Sequence, residues 1–193
     1  MELVPLIDRR GRYHGDVYEV DDLDRVIELP DAPKPDVGAP LPTLVSDEGH
    51  LFLAYIVSEP DLTWNGSHVT TVSPESEGLP IAIIRFRLPS AHMLGPPNDE
   101  VFGGHPLASR GLQSYAVFEI ERSSWIRKHE RMNAVHPNHN RERFLAQRRH
   151  FVFAFHDSTF ECIAESFETN IIRGSMQAAA VRLAELLTDR PPG

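Results

Sequence analysis

The chain has 193 residues, of which 41% are hydrophobic and 24% charged, a size and balance that suit one globular body and allow a sizeable core. No run of about 18 apolar residues occurs, which excludes a membrane-spanning helix, and the single cysteine, Cys162, excludes an internal disulfide. The net charge of −9 hides two segments of opposite sign: residues 1–48 hold twelve acids against five Lys/Arg, and residues 122–150 hold eight Lys/Arg against two acids.

The start, "MELVPLIDRRGRYHGD", carries acids early and has no long apolar stretch, so it does not read as a signal peptide, and the expected location is the cytoplasm. "LVPLID" and "YHGDVYEV" around "RRG" read as a small hairpin, and "DDLDRVIEL" as a short helix with acids in its first turn. Residues 1–29 are thus an N-terminal arm. Residues 30–42 contain five prolines and read as an extended, stiff linker, which leaves 43–193 as the main domain.

From Thr43 the pattern is of strands. "TLVS" and "HLFLAYIV" flank Asp47-Glu48-Gly49 as a hairpin. Asn65-Gly66 marks another turn. "LPIAIIRFRL", residues 79–88, is apolar on both faces and reads as a central strand. Residues 89–111 read as a long loop with few elements of its own. Residues 112–121 return to strand, with Leu112, Ala116, Phe118 and Ile120 on one face.

Ser123 or Ser124 can cap a helix whose stripe is Trp125, Ile126, His129, Met132 and Val135, and Pro137 ends it. Asn140 can cap a shorter helix over 141–149. A last helix after Ser175 carries Met176, Ala179, Ala180, Leu183 and Leu187 as its buried stripe, and "DRPPG" is a frayed tail.

In "RHFVFAFHDSTFECIAESFE", residues 149–168, the aromatics change phase. Phe151, Phe153 and Phe155 are odd-numbered; Phe160, Cys162 and Ala164 are even-numbered. A fold at Asp157-Ser158 pairs Phe155 with Phe160, Phe153 with Cys162 and Phe151 with Ala164, and puts all six on one face, with Val152, Ala154, Glu161 and Ile163 on the other. His156, Asp157 and Ser158 are then a hairpin tip rather than a catalytic relay, which needs groups from separate elements. No G-x-S-x-G elbow is present.

Four chemistries are weighed on the remaining residues. His136 and His139 have H-x-x-H spacing with His150 near in sequence, a set that suits a divalent metal, although ten histidines produce such spacings by chance. Cys162 faces apolar residues and reads as an inert small hydrophobe. Gly104, His105 and Arg110 stand together in "GGHPLASRG", where glycine admits a ligand to the backbone and arginine clamps a carboxylate or phosphate; with His156 and Asp157 they are the ligand-binding candidates. The basic 122–150 segment can attract an anionic small ligand, whereas an acidic chain with Trp125 on a buried stripe argues against nucleic acid.

"GGHPLASRGL", "SSWI", "MNAVHPNHN" and "FHDSTFEC" together resemble an uncharacterised bacterial protein family over about residues 101–168. The resemblance implies a bacterial cytosolic protein and transfers no catalytic residue or activity.

The expected fold is α+β: a mainly antiparallel sheet with two or three helices packed on one face. Two functions fit. One is a protein-binding or accessory, immunity-like module with a protein partner or homodimer surface. The other is an enzyme or small-ligand-binding domain, metal-dependent or not, in which His105, Arg110, His136, His139 and His156 converge. Catalytic residues and cofactors are not legible.

Overall fold

The computed structural model describes residues 18–59 and 71–188. Most of the expected N-terminal hairpin, the Asn65-Gly66 turn and the tail after Thr188 lie outside the described residues.

Among the described residues, nine strands are arranged in two antiparallel sheets, with three helices. In chain order the strands are β1 (Arg25–Glu28), β2 (Thr43–Ser46), β3 (Leu51–Ile56), β4 (Leu79–Arg87), β5 (Ala91–Gly95), β6 (Val117–Glu121), β7 (Arg149–Ala154), β8 (Thr159–Ala164) and β9 (Ser166–Gly174). The helices are α1 (Ser124–Asn133), α2 (Arg141–Ala146) and α3 (Met176–Thr188). One sheet runs β1-β6-β7-β8-β5 and the other β2-β3-β4-β9. The class is therefore α+β with mainly antiparallel pairing.

The sheets stack face to face. Alternation places Leu51, Leu53 and Tyr55 of β3 and Ala82, Ile84 and Phe86 of β4 on one inner face. Phe151, Phe153, Phe155, Phe160, Cys162 and Ala164 supply the other, and the two sets form one core. A strand buried on both faces needs apolar residues at every position. β3 satisfies this because Phe52, Ala54 and Ile56 point outward into a second cluster with Met176, Ala179 and Leu183 of α3.

The helices divide between the two outer faces instead of sharing one. α3 follows β9 and lies against β2, β3 and β4. α1 lies between β6 and β7 in the chain and lies over the other sheet, where Trp125 and Ile126 join Ile163. Two sheets each with an apolar outer face require cover on both sides. Ser175 Oγ accepts the Ala178 amide at 3.3 Å in the first turn of α3. Ser175→Ala is expected to cost about 1 kcal/mol of stability in urea unfolding, as a lost helix cap does.

The β2–β3 and β7–β8 hairpins, the central position of β4 and the last helix agree with the sequence reading. Other expectations change. The β7–β8 register pairs Phe153 with Phe160 and Phe151 with Cys162, two residues away from the expected pairing. The Phe155 amide bonds to the Ser158 carbonyl at 2.9 Å, so His156 and Asp157 form the tip. A shift of two preserves every side chain's face.

"DDLDRVIEL" contains β1, paired with β6, rather than a helix. The β-branched Val26 and Ile27 suit a strand, and an open sheet edge completes their hydrogen bonds. The proline-rich segment lies along β3: Pro35 bridges Val57, and the Tyr55 hydroxyl donates to the Pro33 carbonyl at 2.7 Å. The 89–111 stretch holds β5 on the edge of the larger sheet and two 3-10 turns. The α1 stripe fails at its C-terminal end. The helix stops at Asn133, and Met132 is 64% exposed and Val135 88%.

Candidate functional site

The outer face of the larger sheet carries the chemistry. Parity puts His150 of β7 and Glu161 of β8 on the face opposite the phenylalanines, beneath α1. Glu161 is almost fully buried, as are His150 and His105. Its Oε1 lies 3.1 Å from His105 Nε2, and its Oε2 lies 2.8 Å from His150 Nε2 and accepts the Tyr18 hydroxyl at 2.5 Å. Burial opposes the charged form, but hydrogen bonds from His105 and His150 outweigh it and hold the carboxyl at about 2, from an ordinary 4.5.

Each imidazole is fixed by its second nitrogen. His105 Nδ1 accepts the Leu107 amide at 3.1 Å, so the ring proton sits on Nε2 and faces Glu161. His150 Nδ1 lies 2.9 Å from Ser123 Oγ. Ser123 also caps α1 by accepting the Ile126 amide at 3.2 Å. The segment at Tyr18, the loop at His105, two strands and the start of α1 thus meet on one carboxylate. Among the described residues, a cavity of about 370 Å³ opens beside it, lined by Glu161, His105, Tyr18, Thr159, Met93 and Gly95 with Leu94, Pro96, Pro97 and Pro106.

A second cavity of about 470 Å³ lies between α1, α2 and the β6–β7 margin. Its wall is apolar at Leu23, Ile120, Ile126 and Leu145, and carries Arg122, Arg127, Arg148 and Arg149 against Glu119 and Glu121. Arg149 is held by both oxygens of Glu119. Arg127 Nη2 bonds Asp21 at 2.6 Å, while its Nη1 is buried with no acceptor. The Arg148 guanidinium lies over the Phe144 ring at 5.5 Å, and its Nε is likewise buried with no acceptor. Arg122 has φ 53, in the left-handed region, at the turn from β6 into α1.

A third group sits at the tip of the β7–β8 hairpin. His156 Nδ1 is 3.0 Å from Asp99 Oδ2 and 2.8 Å from the Tyr115 hydroxyl, which donates to the same carboxylate. Tyr115 adopts φ 60. Its hydroxyl is pushed up to about 12 by burial and then by the Asp99 carboxylate, while that hydroxyl, with His156, lowers Asp99.

The residues singled out in the sequence separate among these places. His105 and His150 meet on Glu161, whereas His156 belongs to the Asp99 group with Asp157 exposed beside it, 3.9 Å away. His139 bonds Glu130 at 3.0 Å, and His136 accepts the Asn138 amide within its own loop. Arg110 holds the Asp24 carbonyl at 2.8 Å. Gly104 sits exposed in a 3-10 turn, and a Cβ there would meet nothing within 4 Å. The Cys162 thiol is buried and pushed well above its ordinary value by desolvation. Among the described residues no group of three His, Cys, Asp or Glu side chains could hold a metal ion.

Glu161 and Tyr18 were not singled out as site residues in the sequence; Ser123 was read there only as a helix cap, and the pocket arginines only as part of the basic 122–150 segment. One signal was present: Glu161 is an acid on the face otherwise occupied by Val152, Ala154 and Ile163, and an acid at an apolar position calls for a partner. Among the described residues no helix is long and apolar enough to cross a membrane. No family model, no curated protein and no solved structure matches the chain, so what its site does rests on the chemistry of these residues.

Proposed function

We propose that this chain is a small-ligand-binding domain whose arginine-lined pocket takes an organic anion, a carboxylate or phosphate joined to an apolar body. The observation that carries this reading is the set of four arginines, Arg122, Arg127, Arg148 and Arg149, that line one cavity; two of them, Arg127 at Nη1 and Arg148 at Nε, also hold buried guanidinium nitrogens without an acceptor. A buried donor without an acceptor costs about 1–3 kcal/mol. Guanidinium suits this role because its planar fork matches the oxygens of carboxylate and phosphate. Leu23, Ile120, Ile126 and Leu145 would bury the apolar part.

Calorimetric titration with phenyl phosphate, octanoate and inorganic phosphate tests the proposal. The two amphipathic anions are expected to bind more tightly than phosphate. Arg122→Gly is the decisive variant. Glycine adopts the left-handed conformation of residue 122 without strain, so the unfolding temperature should hold or rise while the guanidinium is lost. The expected result is binding weakened about tenfold, or about 1.4 kcal/mol. Unchanged affinity in both Arg122→Gly and Arg148→Gln would remove the arginines from the site and the reading with them.

A further inference from the structure

Among the described residues the two sheets end in four edge strands, β1 and β5 on one sheet and β2 and β9 on the other. β1, β2 and β5 are only four or five residues long, and a proline lies within two residues of each. Short length and proline both blunt an edge. β9 has neither protection: it runs nine residues, SFETNIIRG, with no proline in it or beside it.

Strand phase shows which backbone groups of β9 are spare. The Val57 amide donates to the Pro80 carbonyl at 2.9 Å, one step beyond the Ile56–Ile81 pair of the β3–β4 register. In an antiparallel ladder a residue turns its N–H and C=O to the same neighbour, and the next residue turns to the opposite one. Pro80, Ala82, Ile84 and Phe86 therefore face β3, whereas Leu79, Ile81, Ile83, Arg85 and Arg87 face β9. Their partners there are Gly174, Ile172, Asn170, Glu168 and Ser166. Phe167, Thr169, Ile171 and Arg173 are left to point their N–H and C=O groups away from the sheet. Among the described residues no hydrogen bond reaches these groups. Thr169 and Asn170 are exposed, and so is Ile171, by 47%.

We propose that β9 is the interface of a symmetric dimer, in which it pairs antiparallel with β9 of a second copy about Asn170. The outward residues are symmetric about Asn170, so two-fold pairing sets Phe167 against Arg173 and Thr169 against Ile171, each in both directions. All four N–H and four C=O groups on each copy then find their complements, and two four-stranded sheets become one of eight strands. The side chains agree with this register. Thr169 and Ile171 form a β-branched pair, and Glu168 lies opposite Ile172, so no like charges meet. Parallel pairing in register would set Glu168 against Glu168 and Arg173 against Arg173. Antiparallel pairing instead brings the acid-bearing end of each strand to the arginine-bearing end of the other. Glu168 and Arg173 keep their own ion pairs, with Arg87 and Glu59, so neither is buried alone. The interface is separate from the arginine pocket, which lies on the other sheet at the β6–β7 margin.

Sedimentation of the full chain tests the proposal. At about 100 µM, where a micromolar dissociation constant is saturated, the native chain is expected at twice the mass of one chain. Thr169→Lys/Ile171→Lys sets cations opposite cations in the paired register, and Thr169→Glu/Ile171→Glu sets acids opposite acids. Both positions are exposed, so each variant should keep the native circular-dichroism spectrum. Each alone is expected to be monomeric, with self-association weakened at least about tenfold. Mixed in equal amounts, the two should form a heterodimer, since opposite charges then face each other. A native chain that sediments as a monomer overturns the proposal and leaves the edge to an extended segment of a different protein. Dimers that persist in either variant, or variants that stay monomeric when mixed, overturn it as well.

Discussion

Glu161→Ala should lower the stability of the chain by about 3–5 kcal/mol, the usual cost of removing one partner from a buried charged cluster. The change removes the Tyr18 hydroxyl's bond to Glu161 and leaves Nε2 of His105 and of His150, both nearly fully buried, without that acceptor. For a chain of this length the shift in unfolding temperature is roughly 10 °C. The same carboxylate sets an acid dependence. Its folded value, about 2, lies below the ordinary 4.5. A carboxylate lowered by folding contributes its stability in full above the unfolded value and loses it as the pH falls through the folded value. The loss should thus run from about 4.5 down to about 2, and amounts to about 3 kcal/mol. Urea unfolding of the native chain and of Glu161→Gln across this range isolates the effect, since the other carboxylates titrate in both. The two curves should converge toward the acid end. If they stay parallel, Glu161 is not ionised in the folded protein.

Phe153→Ala should be comparably damaging. Phe153 is fully buried between the sheets, with ring centroids of Tyr55, Phe86, Phe160 and Phe167 at 6.1, 5.9, 5.8 and 5.6 Å. Truncation removes the ring and opens a cavity that strands on both sides cannot collapse to fill, at a cost of about 3–5 kcal/mol. Phe153→Leu retains a branched apolar side chain and should cost on the order of 1–2 kcal/mol. Against a total stability of about 5–15 kcal/mol, the alanine variant is near the limit of folding. Denaturant midpoints of the two variants supply the check. An alanine variant within about 1 kcal/mol of the native chain would mean that the two sheets are not packed on each other through this ring.

Much of the fold was legible because the signals are local. Short apolar runs bounded by turn residues, "HLFLAYIV" and "LPIAIIRFRL", mark β3 and β4, the phase change from Phe155 to Phe160 requires a turn, and the spacing of Met176, Ala179 and Leu183 marks α3. Errors arose where tertiary context decides. "DRVIE" is short enough to be helix or strand, and its open neighbour β6 makes it β1. The helical stripe continues on paper to Met132 and Val135, yet both are exposed and α1 ends at Asn133.

The candidate site divides in the same way. Residue type and phase already assign His150 and Glu161 to one face of a hairpin, since both depend only on sequence spacing and the period of a strand. They do not disclose that Tyr18, 143 residues away, and His105, 56 residues away, complete the carboxylate's shell. Nor do they show that Arg122, Arg127, Arg148 and Arg149 line one cavity. Alternation and capping are properties of neighbours along the chain, whereas the shell of a buried charge and the walls of a pocket come from segments that only packing of the sheet and helices brings together.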